Sequence, residues 1–273
     1  MRLLHTKTYQ LQEFTPGQEP EYSILSHTWG TNEITYEDIA QNGGCLPKTS
    51  AASKIRNFCK MACRDRHGVL HKYVSWVWVD TCCINKSSSA ELQEAINSMF
   101  NWYKSAAECF VYLEDVQVDE VSMDMLKDKA LKDAYWRAAR TQIKRCRWLT
   151  RGWTLQEFIA SQRVTFYDRE WNHIGRVSNL REELADMLGM PTSMIGYRGV
   201  DIDEFEKSSL QERVYWARNR QTTRPEDRAY SLLGLLNVSM PMIYGEGKAK
   251  AIKRLKREVR EEHGVELNFE YLY

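Results

Sequence analysis

Tyr73-Val74-Ser75-Trp76-Val77-Trp78-Val79, followed at once by Asp80, is the stretch on which the fold turns. Its β-branched and aromatic side chains suit a pleated, buried surface, and the run stops sharply at a charged residue, so it predicts a strand. Toward the N-terminus, Tyr22 to Ser26 is a second apolar run that closes on the polar cluster His27-Thr28-Trp29-Gly30, a strand followed by a loop of functional character. Between the two, Ser53 to Arg66 carries Ile55, Phe58, Met61 and Ala62 at helical spacing and stops near Gly68. Toward the C-terminus, Ser87-Ser88-Ser89 offers an N-cap to a helix over Glu91 to Ser105, with Leu92, Ala95, Ile96, Met99, Trp102 and Tyr103 at apolar positions. Cys109 to Leu113 is a third strand. Strand, helix, strand, helix, strand predicts an α/β fold with a parallel sheet and right-handed crossovers.

Beyond this frame, Glu114 to Ala134 is charged without apolar alternation and reads as an insertion before the basic, amphipathic stretch Tyr135 to Trp148. A helix then opens in Arg151-Gly152-Trp153-Thr154-Leu155-Gln156-Glu157-Phe158, and Val164 to Tyr167 is a short strand. From about Ser178 the pattern is mostly helical. Thr223 in Thr223-Arg224-Pro225-Glu226 predicts an N-cap with Glu226 completing a capping box, and Gly247 to Glu262 is a charged amphipathic helix closed by Gly264. No repeat or low-complexity linker intervenes. The expected organisation is an α/β domain over residues 1–175 and a helical C-terminal annex over residues 176–273 packed on it.

Composition bounds what such a protein does. With 273 residues, 43% hydrophobic and 27% charged, the chain can bury a sizeable core. Its 38 basic and 37 acidic side chains leave a net charge of +1, which gives no global pull toward nucleic acid or an anionic membrane. No apolar run is long enough to span a bilayer, and MRLLHTKTYQ lacks the features of a signal peptide, so a cytosolic protein is expected. An odd number of scattered cysteines, seven, predicts reduced and mostly buried thiols rather than a disulfide framework.

In an open parallel sheet, ligands bind beyond the carboxyl ends of the strands. The first strand delivers Ser26, His27 and Trp29 there, and the second delivers Asp80, Cys82, Cys83 and Asn85. The Arg151 to Phe158 helix adds a third element. At about 100° per residue, Leu155, Phe158 and Ile159 share one side, while Trp153, Gln156, Glu157 and Ala160 share the other. A tryptophan and a carboxylate one turn apart on the side away from the core fit a pocket wall, although a surface Glu beside a Trp under a loop is the plainer outcome. Arg137, Arg140, Lys144, Arg145, Arg147 and Arg151 crowd the preceding segment and offer phosphate donors or a solvated basic face.

Three other patterns invite chemistry. Cys59, Cys63, His67 and His71 recur every fourth residue, as zinc ligands would on a helix, but Gly68 interrupts it and the spacing is foreign to structural zinc sites, so no metal is expected. His27, Asp80 and Cys82 or Cys83 hold the parts of a thiol hydrolase, with nothing in the sequence to activate a thiolate. Gly245-Glu246-Gly247-Lys248 is like a phosphate loop, yet Met242 stands where its first glycine belongs and Ala249 where a hydroxyl would bind magnesium.

The segments LSHTWG (Leu25 to Gly30), WVDTCCINK (Trp78 to Lys86), AINSMFNWYKSA (Ala95 to Ala106) and RGWTLQE (Arg151 to Glu157) resemble the fungal heterokaryon incompatibility (HET) domain, and TTRPEDRAYSLLGLL and MPMIYGEGKAKAIKRL resemble the C-terminal part of such proteins. The resemblance implies a self/non-self recognition protein whose activation kills fused fungal cells. HET domains are in turn distantly similar to TIR domains, which implies a flavodoxin-like parallel sheet flanked by helices and, in many members, cleavage of NAD. TIR domains carry their catalytic glutamate four residues after a tryptophan, as W-C-x-x-E; Trp153 to Glu157 keeps that spacing, with Thr154 in place of the cysteine. On this similarity Glu157 is the expected catalytic residue, and Ser26, His27, Trp29, Asp80, Cys82, Asn85, Arg151 and Trp153 are the expected substrate contacts. NAD or a related nucleotide would be substrate rather than cofactor. The same similarity implies self-association on activation and an NTPase- or repeat-type receptor as partner or fused module. The alternative is a non-enzymatic module that triggers death through assembly. Sequence-specific nucleic-acid binding is not expected.

Overall fold

The computed structural model describes residues 1–63, 74–118 and 127–272. Seven strands, β1 (Arg2–His5), β2 (Leu11–Glu13), β3 (Tyr22–His27), β4 (Trp76–Trp78), β5 (Glu108–Tyr112), β6 (Val164–Tyr167) and β7 (His173–Arg176), form one open sheet in the order β2-β1-β4-β3-β5-β6-β7. β4, β3, β5 and β6 are parallel neighbours, so the predicted α/β frame stands with helices between its strands. Taken in chain order, the parallel strands lie second-first-third-fourth, the flavodoxin-like arrangement, and the chain changes direction across the sheet at β3. β3 is buried along its whole length, as a central strand covered on both faces must be.

To the expected parallel core the structure adds antiparallel edges, where β1, β2 and β7 pair antiparallel. None of them carries a strong signal. β2 is half-exposed and three residues long, and β7 contains Gly175, where a Cβ would lie 2.6 Å from the Trp136 ring. Gly175 gives up β-propensity so that the Lys129–Ile143 helix can close on the sheet. β4 is shorter than the apolar run around it; Tyr73 lies outside the described residues.

The Ser89–Ser105 helix starts as its serines predict, with Ser88 Oγ accepting from Glu91 N at 3.3 Å. The expected insertion over Glu114 to Ala134 is partly helix, because Asp128 caps one that begins at Lys129; residues 119–126 lie outside the described set. After β7 the secondary structure is mostly helical, and its longest helix, Lys248–His263, is terminated by Gly264 in the left-handed region at φ 67°. The expected cap at Thr223 is not formed. The helix opens only at Asp227, and Glu226 Oε1 instead accepts from Gly245 N and Gly247 N at 3.0 and 2.9 Å. The glycine loop that is like a phosphate loop therefore holds the protein's own carboxylate.

This C-terminal part docks edge-on against the start of the Gly152–Ala160 helix. Gly152 N donates to Gln221 O at 2.8 Å, and Arg220 Nη1 donates to Arg151 O at 2.9 Å and Thr154 Oγ1 at 3.0 Å. The approach needs Gly152, because a Cβ there would lie 2.5 Å from Thr222 Cγ2. Gly152→Ala is expected to cost about 1–3 kcal/mol by overpacking. Thr222→Ser, which removes the opposing methyl, should recover most of it; additive losses in a double-mutant cycle read by urea unfolding would reject the contact.

Candidate functional site

The Gly152–Ala160 helix packs on β3 and sets Glu157 against Ser26 at that strand's carboxyl end. The polar outer face expected for it is not an outer face: all its residues except Trp153 are buried, Gln156 and Glu157 included. The C-terminal helices cover the side that the core leaves. Glu157 ends 6% exposed at the bottom of a cleft of about 450 Å³, within the size range of small-molecule sites.

Two hydroxyls hold the carboxyl. Ser26 Oγ, at the end of β3, donates to Glu157 Oε2 at 2.5 Å and accepts from Trp148 Nε1 at 2.8 Å. Tyr103, whose hydroxyl donates to Leu25 O at 2.9 Å, also touches the carboxyl. Among the described residues no cation closes an ion pair with Glu157. Burial therefore pushes it up to about 8, against the pull of the Ser26 hydrogen bond and with the Asp80 charge adding to the rise.

Asp80, just past β4, has the opposite character. Burial opposes its ionisation, but the Lys86 ammonium and hydrogen bonds from His27 and Trp29 outweigh it and hold the carboxyl well below the usual range. His27 Nε2 lies 3.0 Å from Asp80 Oδ1 and Trp29 Nε1 donates to Oδ2 at 2.8 Å. Lys54 Nζ, a donor only, sits 3.0 Å from His27 Nδ1, so Nδ1 accepts and Nε2 carries the proton toward Asp80. Lys86 Nζ lies over the Trp29 ring at 3.5 Å. One cleft thus presents an anionic carboxylate and a largely neutral one, the pairing by which enzymes separate the roles of two acids.

Of the expected site residues, His27, Trp29, Asp80, Arg151, Trp153 and Glu157 line this cleft, and Ser26 stands behind Glu157. Cys82 and Asn85 do not reach it. Cys82 is fully buried, with its thiol pushed far above the ordinary value by a hydrogen bond with Cys83 and by burial, which also disfavours a thiolate nucleophile here. Asn85 Oδ1 accepts from Ser87 N and Oγ and shapes the loop. Cys59 is buried and Cys63 half-buried, while His67 and His71 lie outside the described residues.

Sequence reading missed the far wall, made by Thr223, Arg224, Asp227 and Tyr244. Asp227 accepts from Trp153 Nε1 and from the Tyr244 hydroxyl, both at 3.1 Å, which ties the wall to the Glu157 helix. The signal was the TTRPEDRAY segment, read only as a helix start. The basic cluster scatters: Arg147 pairs with Glu114 at 2.7 Å and Arg140 with Glu183 at 2.8 Å, and only Arg151 faces the cleft. Arg137, Arg140 and Lys144 line a separate, more open groove of about 630 Å³ beside Trp136.

The heterokaryon incompatibility protein (HET) family model matches residues 22–157, from the first residue of β3 to Glu157 itself. The chain is 42% identical over 255 residues to the vegetative incompatibility protein HET-E-1 of Podospora anserina, an alignment covering 93% of this chain and 17% of that protein. No solved structure matches. The family match holds both strand ends and the carboxylate helix, and the longer alignment takes in the far wall of the cleft as well. The chain belongs to the heterokaryon incompatibility (HET) family.

Proposed function

We propose that this chain is the cell-death effector module of a fungal vegetative incompatibility system, and that its cleft cleaves the N-glycosidic bond of NAD or a related nucleotide. The observation that carries the reading is a buried carboxyl, Glu157, that closes no ion pair among the described residues and lies at the foot of a cleft built from the ends of β3 and β4. The Trp153-to-Glu157 spacing, similar to that of TIR domains, supports the same reaction. In it, the bond from ribose C1′ to the nicotinamide nitrogen breaks with its electron pair leaving on nicotinamide. Water adds its oxygen to C1′ and gives up a proton, yielding ADP-ribose. Glu157, ionised, holds the ribose hydroxyls and offsets the positive charge that grows on the sugar. Asp80 is fixed by His27 and Trp29 and orders the opposite side of the cleft. A cytosolic setting, self-association on activation and a receptor module as partner or fused neighbour belong to the same proposal. No described helix is long and apolar enough to cross a membrane.

The test is nicotinamide release from NAD by purified protein at high concentration and under forced oligomerisation. No release under any of these conditions ends the enzymatic reading. Asp80→Asn gives a finer check. It removes a charge that raises Glu157, so the pH at which kcat/KM reaches half its maximum should fall below about 8. A midpoint that stays or rises would separate the two carboxylates.

A second reading, a module that kills through assembly alone, is favoured by the depth of Glu157 and its hydrogen bond from Ser26. It predicts that Glu157→Gln kills cells as well as the native chain at equal abundance.

A further inference from the structure

The cleft is bipolar. Its inner end holds Asp80 and Glu157, and its outer end holds two arginines from distant parts of the chain, Arg151 before the carboxylate helix and Arg224 from the C-terminal part. The other cations nearby are committed. Lys54 pairs with Glu33, and Lys86 faces Asp80 across the Trp29 ring. Among the described residues, neither Arg151 nor Arg224 closes an ion pair.

Neutral contacts position both guanidiniums instead. Arg151 Nη1 donates to Thr223 Oγ1 at 3.0 Å. The Arg224 guanidinium lies over the Tyr244 ring at 4.2 Å, and the Tyr244 hydroxyl is tied to Asp227. Asp227 is the nearby acid, but its two oxygens are taken by Tyr244 and Trp153. Two oriented guanidiniums with unused donors at a cleft mouth match the forked geometry of phosphate oxygens.

We infer that Arg151 and Arg224 form a phosphate subsite, so that the cleft takes phosphorylated nucleotides and rejects nucleosides. This rests on the reading of the cleft as a nucleotide site. It places the phosphates at the rim and the ribose at Glu157, and it makes a residue outside the 22–157 family match a determinant of substrate choice.

The experiment measures binding of ADP and of adenosine by calorimetry to the full chain and to Arg151→Gln, Arg224→Gln and Arg224→Lys. Each variant's fold is checked by its melting curve. ADP should bind more tightly than adenosine. Each Gln variant should weaken ADP by at least about tenfold while leaving adenosine within about twofold, and Arg224→Lys should recover part of the loss. Equal affinity for ADP and adenosine, no binding of ADP to the folded native chain, or native ADP affinity in folded Gln variants each overturns the subsite. The reaction is judged separately. ADP binding as expected without nicotinamide release rejects the glycohydrolase and keeps the subsite. NAD cleavage with KM unchanged in both Gln variants does the reverse.

Discussion

Glu157→Gln is expected to abolish nicotinamide release while leaving a protein that is more stable than the native chain in mild alkali. Glutamine keeps the shape of the side chain and can still accept the Ser26 hydroxyl bond, so the cleft survives. What disappears is a charge. In the native chain burial raises this carboxyl from an ordinary 4.5 to about 8. Between those values the folded state keeps a proton that the unfolded chain has released, so native stability falls as pH rises through the window. The full loss is ~5 kcal/mol at about 1.4 kcal/mol per pH unit. The Gln variant lacks this term, and its melting temperature should hardly change between pH 5 and 9 on this account. Catalysis runs the other way, because the reaction needs the ionised form. Native kcat/KM should climb about tenfold per unit below pH 8 and level off above it, and the Gln variant should be slower by about 10²–10³ or more at pH 8.5. A pH profile flat from 6 to 9, or native turnover in the variant, would remove Glu157 from the chemistry.

The same residue shows what sequence can and cannot supply. β3, β4 and β5 were legible because each is a short apolar run bounded by helical periodicity, a signal contained within a few residues. The strand ends therefore came out in the right place, with His27, Trp29 and Asp80 on the cleft. The helix of Glu157 was also legible as a helix, but its surroundings were not. A moment calculated from one helix distinguishes core from not-core, whereas the second face of this one is covered by residues some seventy positions later, such as Gln221 and Asp227. That is why the sequence left open whether the Glu157 face was a pocket wall or plain surface, and why Arg224 and Tyr244 went unnoticed. The edge strands failed for a different reason. β2 and β7 are held by pairing with their neighbours rather than by their own propensity, and Gly175 is chosen for the Trp136 ring against it.

A chain cut after Arg176 is expected not to fold, although it retains all seven strands. The Ser89–Ser105 helix packs on the Leu233–Leu236 helix, and the fit is close enough that a Cβ on Gly234 would lie 2.4 Å from Phe100 Cβ. The Gly152–Ala160 helix packs on the Asp227–Tyr230 helix; at its start the Arg220 guanidinium donates to Arg151 O and Thr154 Oγ1, and Gly152 N donates to Gln221 O. On the sheet side, Val164 N of β6 donates to Arg198 O at 2.8 Å. The cut therefore exposes apolar faces of two helices and leaves polar groups at the start of a third element unsatisfied. Each large apolar side chain returned to water costs about 1.5–3 kcal/mol, against a net stability of about 5–15 kcal/mol for a whole domain. A few such losses suffice. The shortened chain should show no cooperative melt, bind a hydrophobic dye and be digested at trypsin levels that spare the full chain. A cooperative transition and resistance to protease would show instead that the first 176 residues stand alone as a domain. The outcome also bears on the cleft, since the cut removes Thr223, Arg224, Asp227 and Tyr244 together. If the shortened chain folds but has lost ADP binding, the C-terminal part serves as a wall of the site; if neither fold nor binding survives, wall and support are one structure, and the family match over 22–157 covers only part of a site that needs both.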